Sequence, residues 1–343
     1  MVELNEEAVE RFFWFARERQ AVYIRRRAGM PRPWTSDEIL QRYRITNVYR
    51  EQDKTTTWFR DNVRDALRDS TSVLLATVLF RWFNSIRSGE TIFYQFNDST
   101  DMSPWLHWVK DNDVKPMIQA MRKQGQPWIT GAYMIRSPEG MDKLDGIVYC
   151  LERFRKARIP FDSFSAVDWE ELAQLMLDRR SSDNPVTLQE AWAWFKEHYG
   201  LGPFLAYEIV TDLRHTALLD FAPDINQWAN PGPGALRGAA LMIRSPERGR
   251  KGRLLKSTYP EAHDVMAKLL ELSKDAYYWP QVNGKDVRIG QNYAEQLKDI
   301  KDHYTSHDWR HWESREPEMW LCETLKYEKT RLGFGRPRGT FSK

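Results

Sequence analysis

A short stretch between two segments of helical character has residue types that suit the binding of a phosphate: Gly200, Leu201, Gly202 and Pro203. Two glycines let the backbone turn sharply and approach another molecule closely. Proline is favoured in a first helical turn, so a helix beginning at Pro203 would direct its free N–H groups at an anion in front of the turn. The spacing indicates a helix-hairpin-helix that holds a DNA backbone phosphate, although a plain helix cap has the same residues.

The stretch "RITNVYREQD", residues 44–53, places Asn47, Arg50 and Asp53 three residues apart. If the segment is helical, these side chains share one face. Tyr43 and Tyr49 lie beside them, which favours a binding surface over an ordinary solvated face.

Three histidines, His303, His307 and His311, stand four residues apart and would align on one face of a helix. Zinc ligands can have this spacing, but the segment contains turn formers and no nearby cysteine. We interpret the histidines as packing or hydrogen-bonding residues and predict no resident metal. A magnesium ion held through substrate phosphates and water is compatible with the sequence.

Apolar residues recur at spacings of three and four through most of the chain, which predicts a mainly α fold without a convincing β-ladder. The predicted helices are 5–27, 36–43, 55–68, 70–84, 105–123, 141–157, 166–179, 187–198, 203–214, 261–278, 291–304 and 318–331. Residues 35–38 and 183–185 have helix-start chemistry, while Gly125, Gly200 and Gly333 fall where helices should stop.

Composition excludes several classes of protein. Cys150 and Cys322 are the two cysteines of the chain, too few for a disulfide framework, a four-cysteine zinc site or a four-cysteine iron–sulfur cluster. No run of about 18 apolar residues is present, which predicts a cytoplasmic protein without a signal peptide or membrane span. The net charge is only +3, so a nucleic-acid surface requires local clustering of cations.

Two further stretches are ambiguous. The segment 243–256 carries six basic residues and no aromatics, which fits either a solvated loop or a phosphate contact. The hexapeptide "MIRSPE" occurs at 134–139 and 242–247, but its flanks do not match and we treat it as coincidence.

Asp224 stands 22 residues after Gly202, at the start of a new segment. This arrangement resembles the helix-hairpin-helix DNA glycosylase superfamily, whose members place an essential aspartate about this far beyond the hairpin, at a helix N-terminus facing a flipped base. A simple helix N-cap is the alternative role. Phe204 occupies the position at which lyase-type glycosylases carry a Schiff-base lysine, so imine chemistry there is excluded.

A closer resemblance extends over nearly the whole chain. Its motifs are "RITNVYREQDKTTTWF" (44–59), "FRWFN" (80–84), "GAY" (131–133), "GPFLAYEIVTDLRHT" (202–216), "WANPGPGALRG" (228–238) and "CETLKYEKTRLGFGRPR" (322–338). Together they resemble the α-glutamyl/putrescinyl thymine pyrophosphorylases, also described as amino acid:DNA transferases and related to the helical domain of 5-hydroxymethyluracil DNA kinases. Leu325 departs from this family's pattern, in which an acidic residue precedes Lys-Tyr.

The resemblance implies a DNA glycosylase-like helical fold and phage-type hypermodification of thymine. It implies one domain over 1–343 with room for two lobes, a helix-hairpin-helix core near 187–238 and a basic C-terminal helix and tail at 318–343. The reaction would join an amine, an amino acid or a polyamine, to the activated 5-methylene of hydroxymethyluracil in double-stranded DNA, displacing phosphate or pyrophosphate. No G-x-x-x-x-G-K-[ST] motif occurs, so the activating kinase is expected to be a separate protein.

That reaction needs a general base, cations on the leaving group and contacts to a flipped base. The candidate bases are Asp224 and Glu323. The candidate leaving-group residues are Arg50, Arg81, Arg237 and Lys326, and Arg237 follows "GPGA", whose amides could cradle an anion or merely join two helices. The candidate base or substrate contacts are Asn47, Asp53, Asn84, Tyr133 and Tyr327. The candidate DNA-backbone contacts are Gly200, Gly202, Arg336 and Arg338.

Two other functions remain open at this point. A catalytically silent reader of modified DNA would keep the hairpin and the rings without needing Asp224. A base-excising glycosylase would produce abasic sites without an added amine.

Overall fold

The computed structural model describes residues 2–93, 115–131, 137–160, 166–243, 259–283, 286–288, 293, 297–337 and 339–341. The chain forms two compact units. The first unit contains residues 1–53 and 225–343, and the second contains residues 54–224. The second unit is therefore one continuous segment inserted into the sequence of the first.

Helices dominate both units. In chain order they are α1 (Glu6–Arg27), α2 (Glu38–Arg42), α3 (Lys54–Phe59), α4 (Ser72–Phe83), α5 (Ile86–Phe93), α6 (Lys115–Gln124), α7 (Lys143–Lys156), α8 (Trp169–Arg179), α9 (Leu188–Lys196), α10 (Gly202–Leu213), α11 (Pro233–Ile243), α12 (Tyr259–Leu272) and α13 (Arg315–Arg331). A π-helical turn, Arg60–Arg64, continues α3. Three 3-10 turns cover Arg50–Gln52, Lys298–Ile300 and Ser306–Trp309.

Short strands form two antiparallel hairpins. β1 (Ile159–Pro160) pairs with β2 (Ala166–Val167), with Ile159 opposite Val167. β3 (Gln281–Asn283) pairs with β4 (Asp286–Arg288), with Val282 opposite Val287. The mainly α prediction is confirmed, and these small ladders are an addition to it.

Helix α1 of the first unit has favourable chemistry at both ends. The Asn5 side chain accepts a hydrogen bond from Ala8 N at 3.0 Å, which satisfies one of the unpaired amides of the first turn. Acidic residues begin the helix and three arginines end it, which complements the helix dipole.

Aromatic stacking joins α1 to α13 in the core of the first unit. The Phe15 ring lies 4.7 Å from the Trp320 ring and 4.4 Å from the Tyr327 ring, measured between centroids. All three side chains are buried. Such pairs contribute about 0.5–1.5 kcal/mol each beyond the burial of their area.

Helices α11 and α13 approach each other closely because α11 carries glycines at the contact. A Cβ atom on Gly238 would overlap the Leu321 carbonyl, and one on Gly234 would overlap the Cys322 sulfur. The "GPGALRG" segment is therefore part of a packed helix. It was not among the predicted helices, because glycine disfavours helix unless close packing requires it.

In the second unit, α4 runs through the core and is buried from Val73 to Phe83. The Phe80 ring stacks on Phe59 with centroids 4.4 Å apart. The helix ends at Asn84, which adopts a left-handed conformation with φ of 45°.

Helices α9 and α10 are joined by a turn that contains Gly200, and we call this pair the α9–α10 hairpin. Thr187 caps α9 by accepting from Glu190 N at 2.9 Å, so the helix begins after Thr187 and not at residues 183–185. Gly200 and Gly202 have φ of 85° and 59°, values that glycine adopts without strain.

The structure differs from the sequence-based expectations in three further places. Residues 44–49, where a shared polar face was conditional on a helix, are not helical, and the 3-10 turn Arg50–Gln52 precedes α3. The helix predicted at 291–304 is absent from its described part, which contains the turn Lys298–Ile300. Helix α5 was missed because Gly89 lies inside it, where a Cβ would overlap the Trp58 ring.

Candidate active site

A polar cluster in the first unit lies where α1, the loop 44–53 and α13 come together. Arg19 of α1 donates from Nε to the Ile45 carbonyl at 3.0 Å and from Nη2 to Asn47 Oδ1. Asn47 then donates from Nδ2 to the Gln52 carbonyl at 2.7 Å. The Asn47 backbone N–H donates to Asp53 Oδ1 at 3.2 Å. The loop thus turns back on itself and brings Asn47 and Asp53 together without a helix.

Glu323 of α13 borders the same loop. Its Oε1 accepts from Thr46 Oγ1 at 3.2 Å and from Lys326 Nζ at 2.6 Å. The Glu323 side chain is 5% exposed, whereas that of Lys326 is 46% exposed. A buried carboxylate therefore anchors a lysine that reaches solvent. We call Arg19, Asp53, Glu323 and Lys326 the acid–base cluster.

The electrostatics of the cluster bring the pKa of one carboxyl group close to neutral pH. Burial raises the pKa of Asp53 to about 6, and the Glu323 charge adds to that rise. The Asn47 N–H and the Arg50 and Arg19 guanidinium groups oppose it. Burial lowers the pKa of Lys326, but the Glu323 carboxylate outweighs this and the net pKa is raised.

Further cations lie along the same face of α13. Cys322, Lys326 and Lys329 stand four and three residues apart, which puts them on one face of the helix. The charges of Lys326 and Arg237 both act on the Cys322 thiol, although burial dominates and raises its pKa to about 11. Burial, followed by the charge of Arg237, lowers the pKa of Lys329. We call Arg237, Lys326 and Lys329 the cationic edge.

This arrangement can support acid–base chemistry on an anionic substrate. A carboxyl group with a pKa of about 6 accepts a proton effectively near neutral pH. Adjacent ammonium and guanidinium groups stabilise negative charge on a departing oxygen. The cluster and the cationic edge supply both requirements within the first unit.

The sequence selected much of this cluster. Asn47, Arg50, Asp53, Glu323 and Lys326 were predicted site residues, and the structure brings them together. The condition for a shared helical face is not met, because the segment is not helical and the link is the turn at residues 50–52.

Arg19, Thr46 and Lys329 were missed. Arg19 lies 9% exposed on a helix whose charged "RERQ" stretch resembles a solvated face. Thr46 lies in the motif 44–59 and Lys329 in the motif 322–338, but neither stands at a spacing from other polar residues that indicates a functional role.

Other predicted residues of the first unit have structural contacts. Tyr327 is buried, stacks on Phe15 and donates its hydroxyl to Asp37 Oδ2 at 2.7 Å. Arg237 lies on α11, not in a loop, and donates from Nε to the Pro233 carbonyl at 2.9 Å. Arg336 is exposed and lines a cavity of about 380 Å³ with Arg42 and other residues.

Arg81 and Asn84 belong to the second unit, where both are buried. Arg81 donates from Nη2 to Asp212 Oδ1 at 2.7 Å and to Thr56 Oγ1 at 3.1 Å, and from Nε to Asp212 Oδ2. Its Nη1 donates to Asn84 Oδ1 at 2.7 Å. These contacts hold the core together, so we leave both residues out of the proposed site.

Asp224, the first candidate for a general base, caps a helix other than the one expected. Its Oδ1 accepts from Leu188 N at 2.7 Å and its Oδ2 from Gln189 N at 3.0 Å. Asp224 itself lies in a turn, nine residues before α11 begins. Both oxygens are thus engaged at the start of α9, a structural role.

Some predicted residues lie outside the described part of the chain. These are Tyr133 and Arg338, together with residues 244–256 of the basic segment and residues 134–136 of the first "MIRSPE" copy. His303 and His311 lie in a turn and an irregular segment, and His307 lies in the turn Ser306–Trp309, so they do not share a helical face. Within the described ranges, no group of three or more His, Cys, Asp or Glu side chains could hold a metal ion.

Comparison with known protein families matches residues 6–333 to the family described as "5-hmdU DNA kinase, helical domain". The chain belongs to this family. A curated relative is the 5-hmdU DNA kinase of Bacillus phage SP10, 26% identical over 240 residues, which are 64% of this chain and 34% of the relative. The matched part therefore spans about a third of that kinase.

No solved structure matches this chain significantly. Among the described residues, no helix combines the length and apolar character needed to cross a bilayer.

Proposed function

We propose that this protein modifies hydroxymethyluracil-derived bases in DNA by displacing phosphate or pyrophosphate with an amine. The observation that carries the proposal is the acid–base cluster, in which a carboxyl group with a pKa of about 6 lies beside a line of cations. Membership of the 5-hmdU DNA kinase helical-domain family supports the substrate. The whole-chain resemblance to amino acid:DNA transferases supports the reaction type.

In the proposed reaction, Asp53 takes a proton from the incoming ammonium group. The amine nitrogen then attacks the 5-methylene carbon, forming a C–N bond as the C–O bond to the phosphate breaks. The leaving oxygen keeps the electron pair of that bond, and Lys326, Lys329 and Arg237 stabilise its charge. Glu323 holds Lys326 in position.

We assign the general base to Asp53, and not to Asp224, which was a candidate base from the sequence. A base must have an oxygen available to the proton that it removes. Both Asp224 oxygens accept hydrogen bonds from the first amides of α9, whereas Asp53 accepts from the Asn47 N–H through Oδ1.

The hairpin of α9 and α10 fits a role in holding DNA. Its two left-handed glycines let a phosphate approach the N-terminus of α10, where the helix dipole favours an anion. A DNA glycosylase-like fold with a flipped base would agree with this role and forms part of the proposal.

The test incubates the protein with DNA carrying enzymatically phosphorylated or pyrophosphorylated hydroxymethyluracil and a mixture of amino acids and polyamines. Nucleosides are then released and analysed by mass spectrometry. We expect a heavier, amine-bearing nucleoside together with free phosphate or pyrophosphate. Loss of the base would indicate a glycosylase, and an unchanged profile with tight binding would indicate a reader.

A second arm supplies ATP and DNA with unactivated hydroxymethyluracil. We expect no phosphorylated nucleoside, because the chain has no P-loop motif. Phosphorylation by this chain alone would replace the proposed reaction with a kinase activity.

Matched variants locate the base. Asp53→Asn should lower kcat/KM by roughly 10²–10⁴-fold, whereas Asp224→Asn keeps one acceptor oxygen for the α9 amides and should retain turnover. The reverse result would return the assignment to Asp224.

A further inference from the structure

Three aromatic side chains lie exposed around the turn of the α9–α10 hairpin and on the neighbouring α7. The exposed fraction is 51% for Tyr199, 56% for Phe204 and 37% for Tyr149. Six large hydrophobic side chains are exposed in the described residues, so half of them belong to this one region. Burial of such rings is normally favourable, and a cluster of exposed rings marks a binding surface.

The turn is fixed against the second unit, so the rings are held in place. Gly200 lies so close to α7 and α4 that a Cβ would meet the Cys150 sulfur at 2.8 Å and the Trp82 ring at 3.2 Å. This close contact places Tyr199 beside Tyr149, with ring centroids 6.0 Å apart and an edge-to-face angle of 84°. On the other side of the turn, Trp192 Nε1 donates to the Pro203 carbonyl at 2.9 Å.

Cations accompany the rings. The Arg153 guanidinium lies 5.0 Å from the Tyr199 centroid and 5.8 Å from that of Tyr149, and it donates to the Tyr149 hydroxyl at 3.2 Å. The Lys196 ammonium lies 4.3 Å from the Trp192 ring.

Acidic groups nearby are fewer than the cations. Glu197 lies 3.8 Å from Lys196, and Glu152 pairs with both Arg155 and Lys156. Arg153, Lys156 and Lys196 reach solvent here, whereas Arg155 is 11% exposed. The other carboxylates of these two helices, Asp145 and Glu190, are paired with Arg122 and Arg179, which leaves the surface positive. No side chain caps the start of α10 among the described residues, which adds the positive end of a helix dipole.

Exposed rings on a positive surface match the chemistry of a nucleic-acid strand with unpaired bases. Ring faces stack on bases of any sequence, and the cations follow the phosphates. A protein partner would find the rings equally attractive, but the excess of cations favours the polyanion.

We propose that Tyr149, Tyr199 and Phe204, the hairpin platform, stack on unpaired bases of a DNA strand. The proposal rests on the proposed function for the identity of the ligand as DNA, and it is independent of the amine chemistry. It assigns base contacts to side chains at a turn whose glycines were expected to contact only the backbone.

The test measures the affinity for three fluorescently labelled DNAs: a 12-nucleotide single strand, a duplex with an unpaired thymine bubble and the fully paired duplex. The wild-type protein should prefer the first two. Tyr199→Ala and Phe204→Ala should each weaken binding to the single strand and to the bubble duplex by about tenfold, the usual contribution of one base–aromatic stack. Neither variant should bind the fully paired duplex much more weakly than the wild-type protein does. Phe204→Trp should retain the affinity, because a larger ring still stacks.

The matched control is Phe221→Ala, which removes an equally exposed ring, 59% accessible, that lies 4.7 Å from Arg180 in the same unit. This variant should bind all three DNAs normally. Equal losses in the control and the platform variants, or normal binding by the platform variants, would overturn the proposal.

The outcomes separate the two hypotheses. If the platform variants lose binding to unpaired DNA and no amine-bearing nucleoside forms, the hairpin platform is supported and the proposed reaction is refuted. If the nucleoside forms and the platform variants bind and react normally, the proposed reaction is supported and the hairpin platform is refuted.

Discussion

Asp53 is the residue whose ionisation matters most for the proposed chemistry. Its carboxyl group interacts electrostatically with that of Glu323, the Arg19 charge interacts with both, and the Arg50 charge acts on Asp53. Burial and the second carboxylate favour the neutral form, which moves the pKa into the range where a base exchanges protons readily.

The pH dependence of the reaction should report this carboxyl group. The ionised fraction of Asp53 rises as the pH increases through about 6, so kcat/KM should rise across the same range and then level off. In Asp53→Asn the rise should disappear and kcat/KM should fall by roughly 10²–10⁴-fold, the usual contribution of a general base. Initial rates between pH 5 and 8 make the measurement.

The pH dependence of the free energy of unfolding tests the raised pKa of Asp53 without a measurement of turnover. The pKa of Asp53 is 3.8 unperturbed and about 6 in the folded protein, so the folded state binds the extra proton between these values. Its contribution to the free energy of unfolding therefore falls as the pH rises through that window, and Asp53→Asn should remove this fall. An unchanged pH profile of unfolding in the variant would show that Asp53 titrates normally.

The Arg81–Asp212 pair is the clearest case of charge used for structure. Both side chains are at most 1% exposed, and Asp212→Asn would leave the arginine charge buried without its counterion. We expect a loss of about 3–5 kcal/mol in the free energy of unfolding. The exposed pair Arg122–Asp142 is the control, and Asp142→Asn should cost less because solvent screens that pair. Denaturant titration distinguishes the two, and equal losses would contradict the expectation.

At the scale of elements, the sequence predicted best where a capping residue or a first-turn proline marks the start of a helix. Helix α1 was predicted at 5–27 and observed as Glu6–Arg27, and α10 begins within one residue of the predicted Pro203. Helix α11 was missed because the reason for its glycines is the partner helix, α13, about 85 residues further on.

The α11–α13 contact can be tested directly. Gly238→Ala would force the new methyl group against the Leu321 carbonyl, a backbone atom that cannot rotate away. We expect a loss of about 1–3 kcal/mol or more in the free energy of unfolding, the usual effect of overpacking. Gly232→Ala is the control, because no atom lies within 4 Å of its added Cβ. Similar thermal unfolding of the two variants would show that the helices can move apart.

At the scale of the whole molecule, the almost balanced charge matters. Lys and Arg total 51 against 48 acidic residues, so no general field attracts DNA. Local groups such as the cationic edge must supply the attraction. The sequence selected Arg237 and Lys326 of this edge but could not place them together, because their proximity depends on the packing of α11 against α13.

Salt dependence measures how many of these cations meet phosphates. If Lys329 contacts one phosphate of bound duplex DNA, Lys329→Gln should reduce the slope of log K against log salt concentration by about 0.9. Lys274→Gln, which removes an exposed lysine paired with Glu271, should leave the slope unchanged. A slope that is unaffected by Lys329→Gln would remove this residue from the DNA-binding surface.

The insertion of residues 54–224 between the two parts of the first unit has a consequence for synthesis on the ribosome. Helix α1 leaves the exit tunnel early, but Trp320, on which Phe15 stacks, is made 305 residues later. The second unit is complete by residue 224 and can fold while the first still lacks α11, α12 and α13. During that interval Phe12, Phe13 and Phe15 lack the rings of Tyr278, Trp312 and Trp320 that pack against them in the folded protein, and exposed apolar rings of this kind are what chaperones bind.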